Sequence, residues 1–462
     1  MLVVVLGKRW PWSVVSYAYQ KIATKEPMVM SMMLASAASE ICRSKLYDME
    51  NCSGHLSRTE GSNIHGRVHY GRALSNLREA LKQEVKSPQQ IEAIFITLWL
   101  MMDYENRFGS PSATNIHIRG IETLLHNHIL PLLQSHKRQA AINDSGVPSQ
   151  QVEASMDPST LSECASNNTD STTVVSPTGS IDGLGGTCVP LFVLWTLYFF
   201  SPAVIFFSPG TAQLETDIIR FFSRSETRNH ALSLSELYRL SRQSPCRFWG
   251  NGYPVSSQLD DLENLPALAL YHRSHVLQFE IMEMFDDSDI SFGEDSPYQR
   301  VAKEINTLSI EYDTILTSAK RSTSCDLSGD RRVMETALWS AITYYGTVVY
   351  FHFSFQDLIA SQPEFQSYNH STISLTTAVS LVLELSLKLH RSRPRLLIRI
   401  TWPLFIAGIA TSDQIYKDWV SIRLRELGRY GKDYDRISAR FDKSNSFCPD
   451  QIYSISSTKG RE

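Results

Sequence analysis

Apolar residues recur at three- and four-residue steps along much of the chain, the spacing of one face of an α-helix. Charged residues lie off one such stripe, which consists of Tyr70, Ala73, Leu74, Leu77, Ala80, Leu81 and Val85. The run from Ile91 to Met102, after Ser87-Pro88, is apolar nearly all round. Since Ser caps helices well and Pro fits the first turn, we predict an amphipathic helix followed by an interior helix.

Two further helical patterns flank this pair. The first, Pro27 to Lys45, is rich in Met, Ala and Ser, and its small residues would let neighbouring helices approach closely. The second runs from about Asn115 to Leu133, where Pro131 is expected to end or kink the helix. Residues 1–135 are therefore predicted to form an N-terminal helical block.

The composition changes between 136 and 187. This stretch consists mainly of Ser, Thr, Asn, Gly and Pro, with almost no large apolar residues. It cannot bury enough surface to offset the entropy lost on ordering, so we predict a disordered linker or surface excursion.

Helical patterns resume after this stretch and indicate a second helical block, 188–445, followed by a flexible tail, 446–462. The predicted helices of this block are about 189–207, 211–224, 231–242, 258–285, 297–320, 330–360 and 372–390, then TWPLFIAGIATSD and DWVSIRLREL. Little in the chain alternates as a strand should. The predicted fold class is all-α, a large irregular helical bundle with one long disordered insertion.

The segment 189–208 approaches the roughly 20 apolar residues that span a bilayer. Pro190 and Pro202 interrupt it, and no Lys or Arg lies nearby to anchor it. A core helix from 190 to about 201, ended by Pro202, is favoured over a membrane span. The N-terminal apolar run, Leu2 to Leu6, is too short for a signal peptide.

Charge and cysteine usage narrow the class of protein. The 462 residues include 44 Lys+Arg and 48 Asp+Glu, a net charge of -4, which argues against a polybasic protein that binds nucleic acid or a membrane surface. The 7 cysteines contain no C-x-x-C pair. A local thiol zinc site and a disulfide scaffold are both disfavoured, and we expect an intracellular protein with reduced thiols.

No nucleotide-binding, hydrolase or metalloprotease motif is present in the sequence. Three histidine pairs lie close together in the sequence: His65 with His69, His272 with His275, and His126 with His128. The first two pairs could meet on one helix face. None has a Cys or carboxylate at ligand spacing, so ordinary helix-face histidines are expected. Cys246 is expected to be a buried apolar residue rather than a nucleophile. We predict no catalytic, cofactor-binding or metal-ligating residue, no cofactor and no enzyme.

Several strings, taken in order, resemble one family. They are MVMSMMLASAASEIC, HYGRALSNLREAL, SPQQIEAIFITLWLMMDYENRFG, IHIRGIETLL, LFVLWTLYFF, ITWPLFIAGIATSD and DWVSIRLREL. Together they resemble the second family of the fungal-specific transcription factor domain, the regulatory region of fungal binuclear zinc-cluster activators. The resemblance extends from about Pro27 to Tyr434.

The resemblance implies a nuclear transcriptional regulator, of the kind that controls a metabolic or secondary-metabolite gene cluster. Its partners would be other regulators or a second copy of the chain, with no membrane. Family members usually carry an N-terminal zinc cluster, but the first cysteine here is Cys42. Zinc and DNA are therefore expected only if such a cluster lies upstream; a gene model missing exons and a true co-regulator both fit. The alternative function is a helical small-molecule-binding or enzymatic protein that does not bind DNA.

The large apolar residues of these strings are the predicted core. We expect the following residues to be buried: Leu74, Leu77, Phe95, Leu98, Trp99, Trp402, Phe405 and Trp419.

Overall fold

Helices make up almost all of the structure, a computed structural model. It describes residues 11–52, 63–82, 87–131, 186–200, 216–223, 233–286, 296–323, 332–361 and 373–445. These residues contain no β-strand, so the predicted all-α class is confirmed. Most of the predicted insertion, the predicted tail and residues 1–10 lie outside the described residues, and for these segments the expectations stay predictions.

The described residues of the first half of the chain form eight labelled helices. α1 (Val14–Tyr17) continues into a π-helical turn (Ala18–Ala23) and is followed by α2 (Pro27–Cys52), α3 (Ile64–Leu81), α4 (Pro88–Phe108), α5 (Pro111–Leu124) with a π-helical turn (Leu125–Ile129), α6 (Val189–Phe199), α7 (Thr216–Ser223) and α8 (Leu234–Trp249). The π-helical turn after α5 lies just before Pro131, where a distortion of the helix was predicted.

The second half begins with a long helix. Its elements are α9 (Val255–Asp286), α10 (Pro297–Glu311), α11 (Asp313–Arg321), α12 (Val333–Ser361), α13 (Leu375–Ser392), a 3-10 segment (Pro394–Ile400), α14 (Thr401–Ala410), α15 (Gln414–Leu427), a 3-10 turn (Gly428–Tyr430) and α16 (Lys432–Asn445). Two of these differ from prediction. The helix expected over 297–320 breaks at Tyr312, and α16, which is mostly polar, was not predicted.

Serine side chains set several helix starts. At α4, Ser87 Oγ accepts from the Gln90 N–H at 3.2 Å, and the Ser87 N–H donates to Gln90 Oε1 at 3.0 Å. This capping box satisfies two backbone donors that the first turn leaves open. The start of α5 was predicted four residues too late, because Ser110 accepts from the Ala113 N–H and so begins the helix at Pro111.

The described side chains form two hydrophobic cores. The first takes its residues from α1 to α8, and the second mainly from α10 to α16. α9 belongs to both, since Phe279 lies in the first core while Leu270 and Leu277 lie in the second. Tyr271 packs against both cores. α9 is therefore one element through which the two cores meet.

α4 and α12 are the central helices of the two cores. All residues of 91–102 in α4 and of 335–352 in α12 are buried, as the uniformly apolar pattern of α4 predicted. Gly346 permits the close approach of α14 to α12, because a Cβ there would lie 2.7 Å from Pro403 Cβ.

α6 ends at Phe199, just before Pro202, and most of its residues are buried in the first core. The predicted core helix is thus confirmed in this part of the chain. Among the described residues, no helix combines the length and the apolar character that a membrane span requires. Residues 201–208 of the apolar segment lie outside the described residues.

Most of the predicted core residues are buried. These are Leu77, Phe95, Leu98, Trp99, Trp402 and Phe405. Trp419 is half-buried against the second core. Leu74 is 40% exposed, so that prediction is wrong. α3 contacts its neighbours along a narrow stripe through Ala73 and Leu77, and Leu74 lies one position round the helix from that stripe.

We predict that Trp99→Ala lowers the free energy of unfolding by about 3–5 kcal/mol, because it removes a large ring that packs edge-on against Phe192 at 5.3 Å. Chemical denaturation of the purified chain measures this. Leu74→Ala is the control, since truncation at an exposed position should change stability by about 0.5 kcal/mol or less. Equal losses in the two variants would contradict the burial assignment.

Candidate functional site

Three aromatic residues of α9 lie between the two cores: Tyr271, His272 and His275. Rings from α6 and α8, Tyr198 and Tyr238, pack against them. We call these five residues the tyrosine–histidine junction. Residues 271, 272 and 275 fall on neighbouring faces of one helix, which is why one short stretch of α9 can touch partners on several sides.

Each of the two histidine rings stacks on one tyrosine ring. The ring of Tyr238 stacks on His272 with centroids 4.2 Å apart and planes 5° apart. The ring of Tyr198 stacks on His275 at 4.2 Å and 13°, while its hydroxyl lies 2.7 Å from Nδ1 of His272. Tyr198 thus contacts both histidines at once, through its ring and through its hydroxyl, and fixes α6 against α9.

The junction continues into the second core. The Tyr271 ring packs in a T-shaped arrangement against His275 and against Trp339 of α12. The ring centroids are 4.5 Å and 4.7 Å apart. The guanidinium of Arg399, in the 3-10 segment, lies 4.9 Å from the centroid of the Trp339 ring. A continuous series of ring contacts therefore joins α6 and α8 to α12.

Burial fixes the charge states in the junction. It lowers the pKa of His272 to about 3, with a smaller contribution from Arg273. Burial and the neighbouring His272 lower the pKa of His275 to about 3. Burial also raises the pKa of Tyr198 well above its usual range, and that of Tyr238 to about 12. At neutral pH all four side chains are uncharged.

These charge states bear on what the junction can do. A general acid or base works best with a pKa near the working pH, whereas burial lowers the pKa of both imidazoles to about 3 and raises the pKa of both phenols. His272 Nε2, Tyr238 Oη and Trp195 Nε1 are buried and have no hydrogen-bond partner among the described residues. Each buried polar atom without a hydrogen-bond partner destabilises the folded state, and the packing of the rings must offset this loss. The arrangement is suited to fixing two cores in one relative position.

The structure brings together only one of the three histidine pairs as a buried cluster. His272 and His275 are buried, whereas His65 and His126 are exposed. Among the described residues there is no group of three or more His, Cys, Asp or Glu side chains arranged to hold a metal ion. Cys246 is exposed, so the expectation that it is buried is wrong; it lies near the end of α8, where the helix meets solvent.

The tyrosine partners were not found by sequence reasoning. Tyr198 and His272 lie 74 residues apart, and no spacing rule connects them. The only available signal was the concentration of aromatic residues in α6.

One end of a match to a known protein family lies close to the junction. Residues 271–439 match the family described as fungal specific transcription factor domain. This segment is similar to a fungal specific transcription factor domain. No curated protein and no solved structure matches the chain. The match supports a fungal transcriptional regulator, and it confirms the resemblance over the second of the two cores.

The matched segment begins at Tyr271, within α9, and ends in α16. It therefore contains the α9 residues of the junction, while Tyr198 and Tyr238 come from helices that precede it. The junction is one place where the matched segment is fixed to the first core.

We predict that Tyr198→Phe lowers the free energy of unfolding by about 1–3 kcal/mol, because it leaves His272 Nδ1 buried without its hydroxyl partner. Tyr238→Phe is the matched control. It keeps the same kind of ring stack on a histidine but removes a hydroxyl that has no partner, so stability should stay equal or rise. Denaturant titration of both variants measures the difference, and a larger loss in Tyr238→Phe would contradict the assigned hydrogen bond.

We also predict that the stability of the chain decreases at acidic pH. Since burial lowers the pKa of His272 and His275 from 6.5 to about 3, the folded state binds fewer protons than the unfolded state below pH 6.5. Their contribution to stability is full above that pH and is lost as pH falls towards 3. The free energy of unfolding should decrease by roughly 1 kcal/mol per pH unit for each histidine. Denaturation between pH 7 and 5 measures this; His272→Asn should reduce the slope, and the exposed His65→Asn should not.

Proposed function

We propose that the chain is the regulatory region of a fungal transcriptional regulator that acts in the nucleus and is not an enzyme. The single observation that carries the proposal is the match of residues 271–439 to the fungal specific transcription factor domain. The second core, which the match covers, is a continuous packed unit from α9 to α16.

The junction supports the same proposal. Its side chains are uncharged at neutral pH and packed against one another, which is the character of a structural joint. A regulatory region needs such rigid contacts between helices, because it transmits a change at one surface to another surface through packed helices.

The finer part of the proposal concerns targets and partners. We propose that the regulator controls a metabolic gene cluster, including one for a secondary metabolite, together with other regulators or a second copy of itself. Contact with DNA is part of the proposal only if a zinc cluster is encoded upstream of this sequence; otherwise the chain would act as a co-regulator. Translating the genomic DNA upstream tests this: two C-x-x-C pairs followed by a basic stretch would support direct binding, and a region without them would favour a co-regulator.

We expect deletion of the gene to change the transcript levels of some neighbouring genes, because a regulator acts on expression. RNA sequencing of the deletion strain and its parent, in several growth media, measures this. Unchanged transcripts in every condition would overturn the proposal.

Complementation provides the control. The wild-type chain should restore the transcripts, whereas Trp402→Ala, which truncates a buried residue of the matched domain, should not. Tyr198→Phe should weaken the response, because it destabilises the junction, whereas Tyr238→Phe should restore the transcripts as the wild type does. A fluorescent fusion that stays outside the nucleus in all conditions would contradict the proposed location.

A further inference from the structure

The C-terminal turn and α16 are fixed to the ends of α2 and α4 largely by charged and polar groups. Arg43 Nε donates to the carbonyl of Gly428 at 2.9 Å, and its Nη2 lies 2.6 Å from Asp435 Oδ2. Arg436 Nη2 donates to the Asn106 carbonyl at 3.1 Å. Contacts of this kind depend on the charges of the groups that form them, so the packing of α16 against α2 and α4 can respond to protonation.

Arg107 of α4 lies at the centre of this contact and is only 2% exposed. Its Nε donates to Asp103 Oδ2 at 2.8 Å, and its Nη2 lies 2.7 Å from the same oxygen. Its Nη1 lies 3.3 Å from Glu40 Oε2 of α2. The Arg107 guanidinium therefore already pairs with two carboxylates, and α16 adds a further carboxylate.

Asp433, in the first turn of α16, supplies a third carboxylate. Its Oδ1 is buried and has no hydrogen-bond partner among the described residues. Its Oδ2 accepts from the uncharged Asn106 amide at 3.3 Å. Gly431 keeps the turn close to this group, since a Cβ there would lie 2.3 Å from Asp433 Oδ1 and 3.1 Å from Arg107 Cβ.

The charges around Asp433 come from three elements. α4 contributes Asp103 and Arg107, α2 contributes Glu40, and α16 itself contributes Arg436 and Tyr434. Arg43 and Asp435 pair with each other beside this group. With Asp433 ionised, three carboxylates act on the Arg107 guanidinium, and a single proton on Asp433 reduces that number to two.

The protonation behaviour of Asp433 agrees with this count. Burial raises the pKa of its carboxyl to about 7, and Asp103 adds to the rise, while Arg107 and Arg436 oppose it. A protonated Asp433 also gains an O–H donor, which an ionised carboxylate lacks.

We propose that residues 428–445 form a proton-controlled latch, in which protonated Asp433 holds α16 on α2 and α4, and loss of that proton loosens it. The latch includes the end of the fungal specific transcription factor domain, but the proposal rests on these contacts and not on the proposed function.

The direction of the pH effect follows from linkage. An undocked Asp433 has the ordinary pKa of 3.8, and the docked one a pKa of about 7, so opening releases a proton between these values. The equilibrium constant for opening should rise by up to about tenfold per pH unit over that window. Above pH 7 both states are ionised and no further change is expected.

Hydrogen–deuterium exchange of the full chain between pH 5.5 and 8.5 tests the latch, read as the opening constant of peptides from 432–445. Asp433→Asn is nearly isosteric and permanently neutral, so the ratio of the wild-type constant to that of the variant should rise about tenfold per pH unit up to about 7, then level off. Asp418→Asn, at an exposed carboxylate of α15, should follow the wild type. A ratio independent of pH would overturn the proposal.

Infrared spectroscopy of the wild-type chain provides a readout that does not depend on how well Asp433→Asn folds. A protonated carboxylic acid has its own carbonyl band, and we expect one that titrates near pH 7. A chain whose carboxyl bands all titrate below pH 5 would contradict the latch. Where Asp433→Asn folds, that band should be missing from its spectrum.

Discussion

The packing of α9 against both hydrophobic cores is the constraint on which the rest of the structure depends. Phe279 faces the first core and Leu277 the second, so neither core is complete without this one helix. Burial of apolar surface is the main favourable term in folding. A helix that is buried on two sides therefore fixes the cores relative to each other, and α6, α8 and α12 take their positions against it.

The sequence predicted the helices better than their assembly. Helix period, the Ser87 capping box and the uniformly apolar run in α4 are local signals, and each led to the right element. Leu74 shows the limit: the stripe on α3 was correct, but the width of the contact with its neighbours depends on where those neighbours lie. α16 was missed because charged contacts stabilise it as much as apolar periodicity does, and the spacing of charges along a helix does not reveal distant partners.

The candidate site was less predictable still. The spacing of His272 and His275 identified a pair on one helix, and the lack of a Cys or carboxylate at ligand spacing led us to interpret the pair as ordinary helix-face histidines. What gives the pair its character is burial against Tyr198 and Tyr238, which come from two other helices. A stacking partner that lies many residues away leaves no local trace in the sequence.

The junction and the latch fix the same domain at two places by different means, and this difference decides where it can move. The junction is made of rings that stay uncharged from about pH 4 upward, so ordinary changes of pH leave it closed. The contact of α16 with α2 and α4 is made largely by charged and polar groups, and it contains a carboxyl group whose protonation changes with pH. A conformational change in this molecule should therefore start at α16 and reach α9 only through the second core, with the first core as its fixed support.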